Sequence, residues 1–240
     1  MDLAGRVALV TGGGTGLGAE VCRALAGRGA AVAVNYSRSR EEAEALAGSL
    51  PRALAVRADV RDERSIDAMV REVEAALGPV DLLVNNAGIT AYVPFDDLEA
   101  ITTGDWDRIL GVNLVGAWSC VRAVVPGMRA RGAGSIVNVA SDSAFTLDGS
   151  SIPYVVSKAG LVALTHTLAS ALAPVVRVNA VAPGWMDTPW LDRYVPEDRR
   201  AALREGHEPT VPVDEVAEAV VALLEDDGAT GQVVQLTPPG

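Results

Sequence analysis

Short runs of apolar, often β-branched residues alternate with longer stretches of helical period along the 240 residues of the chain. The runs Arg6–Val10, Ala31–Asn35, Ala53–Ala58, Leu82–Asn85, Ser135–Val139, Val175–Ala180 and Gln232–Leu236 are predicted strands. They are apolar almost without interruption rather than alternating, which marks strands covered on both faces and hence a parallel sheet between helical layers. From Glu63 onward, Ile66, Met69, Val70, Val73 and Leu77 fall on one helix face, at spacings of three and four, and Gly78-Pro79 ends the pattern. Helices of the same kind are predicted over Leu17–Gly27, Glu41–Ser49, Trp106–Arg129, Tyr154–Ala173 and Asp214–Leu224. Strand–helix alternation along the whole length predicts an α/β fold: one doubly wound domain over residues 1–240, with about seven parallel strands and helices on both faces. The least regular stretch, Pro183–Pro212, is rich in proline, tryptophan and charge, and its residues 184–212 are expected to form a lid over a site.

Composition narrows the function classes. Hydrophobic residues make up 49% and charged residues 21%, as in a packed globule. No run approaches the ~18 uninterrupted apolar residues of a membrane span, and the first ten residues lack the basic lead-in of a signal peptide. A cytoplasmic protein is expected. The net charge of −11 repels phosphate backbones and anionic membranes, so neither a nucleic acid nor a membrane is an expected partner. Cys22 and Cys120 read as small buried hydrophobes rather than a disulfide or metal pair. His166 and His207 have no helix-spaced ligand partner, and no metal site is expected. Of the 20 Lys and Arg residues, the only lysine is Lys158.

The first strand runs straight into Thr11-Gly12-Gly13-Gly14-Thr15-Gly16-Leu17-Gly18 and then a helix. Such a turn lets a pyrophosphate approach the backbone, and the helix N-terminus offers it free N–H groups and the positive end of a dipole. Position directly between strand and helix separates this from an ordinary tight turn. The acidic residue that would hold a ribose 2′-hydroxyl at the tip of the second strand is absent; Asn35-Tyr36-Ser37-Arg38-Ser39-Arg40 stands there instead. Ser37 and Arg38 suit a 2′-phosphate and favour NADP, with NAD the alternative if Arg38 and Arg40 are simply solvated at a helix start.

Downstream come Asn85-Asn86-Ala87-Gly88 after the fourth strand, Asn113 in a helix, Ser141 past the fifth strand, and Tyr154-Val-Val-Ser-Lys158. Tyr154 and Lys158 are four apart and share a helix face. A nearby ammonium favours the ionised phenol, moving a group of pKa about 10 towards neutral working pH.

Taken in order, these segments resemble the short-chain dehydrogenase/reductase family over nearly the whole chain. The glycine turn is similar to the family's T-G-x-x-x-G-x-G, Asn85–Gly88 to its N-N-A-G, and Tyr154–Lys158 to its Y-x-x-x-K, with Ser141 thirteen residues before the tyrosine. The resemblance implies a Rossmann-like fold and hydride exchange between a nicotinamide dinucleotide and a carbonyl or alcohol. Tyr154 would pass a proton to or from the reacting oxygen, Ser141 would orient that oxygen, Lys158 would hold the nicotinamide ribose and tune Tyr154, and Asn113 would position a relaying water. Gly12, Thr15, Gly16, Leu17 and Gly18 would cradle the phosphates; Asp59 and Val60 would frame the adenine. Asn86, Ala87, Gly88, Pro183 and Gly184 would line the cofactor, and Thr188 would meet the nicotinamide carboxamide. Ser141 as a helix cap, Asn113 as a local backbone partner and Asp59 as a turn residue are the competing local roles.

The ending departs from the family's usual Asp-Gly-Gly: this chain closes Thr237-Pro238-Pro239-Gly240, which puts one tetramer contact in doubt, although a homo-oligomer, tetramer or dimer, is expected. The turn also lacks the basic residue many NADP-preferring relatives carry at Gly13 or Thr15. Trp185, Met186, Trp190, Leu191 and Tyr194 in the lid suggest a partly apolar substrate, unless they pack against the body. The closest general resemblance is to 3-oxoacyl thioester reductases and related ketoreductases. Arg129 and Arg131 could meet an acidic acyl carrier or simply stabilise a helix C-terminus. The expected activity is NADP(H)-linked interconversion of a ketone and a secondary alcohol. An NAD-linked sugar, polyol or alcohol dehydrogenase, or a non-catalytic dinucleotide-binding protein, are the alternatives.

Overall fold

The structure, a computed structural model, describes residues 1–238; Pro239 and Gly240 of the closing tail lie outside the described residues. Seven parallel strands form one sheet: β1 (Val7–Val10), β2 (Ala31–Tyr36), β3 (Ala53–Arg57), β4 (Leu82–Asn85), β5 (Gly134–Val139), β6 (Val176–Pro183) and β7 (Val233–Leu236). Their order is β3-β2-β1-β4-β5-β6-β7, so the winding reverses between β1 and β4. Registers such as Ala8↔Val32 and Ala8↔Leu82 hold the switch-point strands together.

Side chains alternate across the strands, and the two faces bury different helices. Ala8, Val10, Val32 and Val34 face α1 (Gly16–Gly27), α2 (Arg40–Ser49) and α10 (Val213–Glu225). Leu9, Ala31, Ala33 and Val56 face α3 (Glu63–Ala76), α5 (Ala117–Arg131) and α7 (Ile152–Leu172), the last preceded by the short α6 (Ser143–Thr146). In α3, Ile66, Met69, Val70 and Val73 are buried as their spacing requires, and the Asp62 side chain caps the helix by accepting from Arg64 N–H. Thr103–Arg131 and Ile152–Leu172 are by length and composition apolar enough to cross a bilayer. Here they pack one face against the sheet instead. Both cysteines are free and buried, and burial pushes both thiols up, Cys120 to about 12.

Three local differences from the sequence reading have physical causes. The helix expected over Trp106–Arg129 starts earlier, as α4 (Thr103–Leu110), because a capping box joins the Thr102 hydroxyl to Asp105 N–H and the Asp105 carboxylate to Thr102 N–H. It also widens into a π-helical turn at Gly111–Gly116 before continuing as α5. The stretch after β6 is not irregular: α8 (Pro189–Tyr194) and α9 (Glu197–Arg204) lie within it. Leu191, Val195 and Leu203 bury together there against Tyr92, Trp185 and Trp190. Arg204 also ties Asp187 to Asp192 across the two helices.

Candidate active site

In a parallel sheet every strand ends on the same side, and loops at the switch point between β1 and β4 leave a crevice there. A cavity of about 570 Å³ occupies that crevice. Glycine geometry shapes its floor. Gly12 has a φ of +61°, and a Cβ on it would lie 3.1 Å from Ala87 Cα. A Cβ on Gly18 would sit against the Gly12 carbonyl oxygen and 2.6 Å from Asn86 Nδ2. Asn86 Nδ2 in turn donates to the carbonyls of Thr11 and Gly12, 3.0 Å each, and Asn35 Oδ1 accepts from Gly12 N–H at 3.2 Å. The glycine turn is thereby locked between β2 and β4.

The first turn of α1 carries no acidic residue, and its N-cap, Thr15, makes no side-chain capping bond. Its N–H groups and positive dipole end therefore face the cavity without an internal anion or cap. Together with the glycine cradle, this fits the pyrophosphate of a dinucleotide. Gly12, Thr15, Gly16, Leu17, Ser37, Arg38, Asp59, Val60, Asn86, Ala87, Gly88, Pro183, Gly184 and Thr188 all line this one cavity. Gly18 does not; its part is the close approach beneath the turn.

Ser141, Tyr154 and Lys158 line the same cavity. Tyr154 and Lys158 sit one turn apart on α7, and Lys158 Nζ lies 5.7 Å from the phenol ring centroid. Lys158 is 4% exposed and donates to the Val139 carbonyl at 2.7 Å, which ties the helix to the end of β5. Ser141 Oγ donates to Asp142 Oδ1 at 3.1 Å and accepts from Ser143 N–H at 3.2 Å. Trp190 stacks at a tilt on Tyr154, centroids 6.0 Å apart, and Tyr194 on Trp190 at 5.1 Å.

Of the two roles expected for Asn113, water positioning or local backbone partner, its side-chain contacts are those of a backbone partner. It is 1% exposed and lies off the cavity lining. Its Oδ1 accepts from Ile89 N–H at 2.9 Å, while Nδ2 donates to Ile89 O and Ser157 Oγ, both at 3.0 Å. The π-helical turn delivers this side chain to the loop after β4 and pins that loop to α7.

The electrostatics also differ from the sequence argument, which weighed the ammonium but not burial. Tyr154 presents a half-buried surface to the cavity, yet its ring is packed deeply enough that burial pushes the phenol up to about 12. The Ser141 hydroxyl pulls it back and the Asp142 carboxylate adds to the rise. Burial likewise pulls Lys158 down to about 8. Burial, which disfavours the charged form of each group, is the largest cause for both.

A direct check exists because Lys158 is the single lysine. A chain labelled with 15Nζ-lysine is expected to show one resonance titrating near pH 8 rather than at the ordinary 10.5. Between those values the unfolded chain keeps a proton that the folded chain has shed, so raising the pH adds stability from this group. From pH 10 upward the proton retained on Tyr154 works in the opposite direction.

Sequence reasoning missed Asp142 and Ser143, which line the cavity beside Ser141, and Tyr92 and Arg193, which line it towards α8. The Ser141-Asp142-Ser143 spacing was the available signal; the other two come from segments distant in sequence.

Comparison with known proteins agrees with this fold. The sequence model of the short chain dehydrogenase family matches residues 6–199. The "Granaticin polyketide synthase putative ketoacyl reductase 2" of Streptomyces violaceoruber is 44% identical, over 95% of this chain and 93% of that protein. Acetoacetyl-CoA reductase of Rhizobium meliloti is 38% identical, over 95% of each chain. The crystal structure of 3-ketoacyl-(acyl-carrier-protein) reductase from Brucella melitensis, complexed with NADH, superposes with a TM-score of 0.88 at 33% identity, covering 98% of both chains. With the doubly wound sheet, the glycine cradle and a sequence match over 95% of its residues in agreement, the chain belongs to the short-chain dehydrogenase/reductase family of NAD(P)-dependent oxidoreductases.

Proposed function

We propose that the chain is an NADPH-dependent reductase that converts a ketone, of the 3-oxoacyl thioester kind, into a secondary alcohol, with Tyr154 as the acid. The observation that carries this reading is the single cavity that Tyr154, Lys158 and Ser141 share with the glycine turn. Gly12, Thr15, Gly16 and Leu17 would hold the pyrophosphate, Asp59 and Val60 the adenine, and Thr188 the nicotinamide carboxamide, with Asn86, Ala87, Gly88, Pro183 and Gly184 lining the dinucleotide. Bound there, a reduced nicotinamide supplies the hydride. The Ser141 hydroxyl orients the carbonyl oxygen and Tyr154 gives it a proton. The Lys158 ammonium, held by Val139 O, stabilises the phenolate left behind. Asn113 is a positioning residue that fixes the Gly88–Ile89 loop against α7 through Ile89 and Ser157. The likeness to a ketoacyl reductase and an acetoacetyl-CoA reductase supports the substrate class. Val115, Trp118 and Val156 are exposed apolar residues on neighbouring helices, which supports a homo-oligomer.

NADP is favoured because Ser37 and Arg38 line the adenosine end of the cavity, and Arg38, although near enough to Asp59 to help lower its carboxyl, makes no ion pair there, since Arg61 holds that carboxylate. NADH is the second reading: Glu42 lines the same end, and the Brucella relative was solved with NADH. Initial rates with NADPH and NADH over a panel of ketones separate the two. Arg38→Asp is expected to shift the NADPH/NADH preference about tenfold or more towards NADH by removing a charge-assisted phosphate contact. An unchanged ratio takes Arg38 out of the phosphate site.

A further inference from the structure

Aromatic residues are scarce in this chain, with four Trp, four Tyr and two Phe, yet Tyr36, Tyr92, Tyr154, Trp185, Trp190 and Tyr194 all line the same cavity. Tyr36 belongs to the adenosine end, at the close of β2. The other five gather where the lid meets the catalytic wall, with Trp190 at their centre. Its ring meets Tyr154 at 6.0 Å and an angle of 50°, and Tyr194 at 5.1 Å and 54°. At such tilts neighbouring rings leave part of each face uncovered. The indole Nε1 donates to Gly88 O at 3.4 Å, and a Cβ on Gly88 would lie 3.7 Å from Lys158 Nζ, so Trp190 stands beside both the phenol and the lysine. The lid has an aliphatic nucleus of its own: Leu191, Val195 and Leu203 are 1%, 4% and 3% exposed. Tyr92, Trp185 and Trp190 pack one side against that nucleus and, with Tyr194, remain half-buried where they line the cavity. Half-buried rings grouped on a cavity wall are apolar surface for a ligand.

We propose that the substrate carries a flat aryl ring next to the carbonyl being reduced, and that Trp190 is the specificity-determining residue on which this ring packs. This rests on the ketone-reductase reading above and deepens it. With the reacting oxygen at Tyr154, a substituent beside the carbonyl meets the aromatic surface nearest the phenol, which is the indole of Trp190. Two aromatic rings in offset or edge-to-face contact gain more than the area they bury. A saturated ring of the same size gains the area alone. A rigid aryl group also has fewer rotamers to lose on binding than an alkyl chain.

The test uses the purified full-length chain, saturating NADPH and two thioesters of N-acetylcysteamine, 3-oxo-3-phenylpropanoyl and 3-oxo-3-cyclohexylpropanoyl. Their rings match in size and differ in being flat and aromatic or puckered and saturated. Trp190→Leu is expected to lower the phenyl-to-cyclohexyl ratio of kcat/KM about fivefold to tenfold, mainly through KM, the worth of one aromatic pair. Trp190→Phe keeps a ring but loses the bond to Gly88 O, and is expected to retain most of the ratio. An indole that only anchored the lid would make the two variants alike and slow both probes equally. In the wild type, where folding is not at issue, 1-phenylethanol is expected to inhibit the NADPH complex at least about threefold more tightly than 1-cyclohexylethanol. Equal inhibition, an unchanged ratio or equal slowing of both probes overturns the inference while leaving the ketone-reductase reading in place. So does a wild-type chain that reduces the acetoacetyl thioester but neither ring-bearing probe. A wild-type chain that reduces none of the three thioesters with either dinucleotide overturns the reading itself, and the inference with it.

Discussion

Tyr154→Phe is expected to reduce kcat/KM for ketone reduction by about 10³–10⁴, the upper range for loss of a positioned acid. The dissociation constant for NADPH, read by fluorescence titration, is expected to stay within about threefold. The substitution removes one oxygen and leaves the ring, which keeps its tilted contact with Trp190. Lys158 keeps its bond to Val139 O, so the wall that the dinucleotide meets retains its shape. Loss limited to the chemical step is the signature of an acid. A variant that still turns over at near wild-type rate removes Tyr154 from the mechanism. One that loses NADPH binding as well gives it a structural part instead.

Gly18→Ala is expected to have the largest effect on the fold itself. The added methyl would press on the Gly12 carbonyl oxygen and Asn86 Nδ2, and would lie 2.9 Å from Gly13 Cα. Two of these three are backbone atoms, and the third is an amide already committed to two carbonyls. Relief requires moving α1 away from the turn, at a cost of roughly 3 kcal/mol or more. For a chain of this size that lowers Tm by about 6–12 °C, and it misplaces the N–H groups that would meet the phosphates. NADPH affinity and stability are therefore expected to fall together. Gly48→Ala is the matched control. Gly48 lies inside α2 with nothing within 4 Å of the added methyl, and alanine there is expected to add about 0.5–1 kcal/mol of stability. If Gly18→Ala behaves like Gly48→Ala, the close approach beneath the turn is not what that glycine provides.

Much of the layered fold was legible in the order of residues. Continuous apolar runs marked the strands, since both faces of β1, β2, β4, β5 and β6 are covered, and β4 was placed over Leu82–Asn85 to the residue. Local signals also marked the glycine turn and the i, i+4 pairing of Tyr154 with Lys158. The π-helical turn at Gly111–Gly116 was not legible, because it preserves the apolar pattern of the helices it joins. The helices α8 and α9 were hidden for a different reason. They are short, proline-led and charged, and owe their place to buried Leu191, Val195 and Leu203 and to arginine bridges between them.

Within this chain, sequence alone determined what depends on neighbours a few positions apart: strand and helix alternation, the strand–turn–helix of the phosphate cradle, and the phenol one turn from the sole lysine. Tertiary structure alone decided what depends on packing and solvent. It turned Asn113 inward to clamp Ile89, made burial the largest influence on Tyr154 and Lys158, and left the Ser143 hydroxyl buried and unpaired among the described residues. Hydrogen-bond partners and dehydration are properties of surroundings drawn from distant parts of the chain, and no local pattern encodes them.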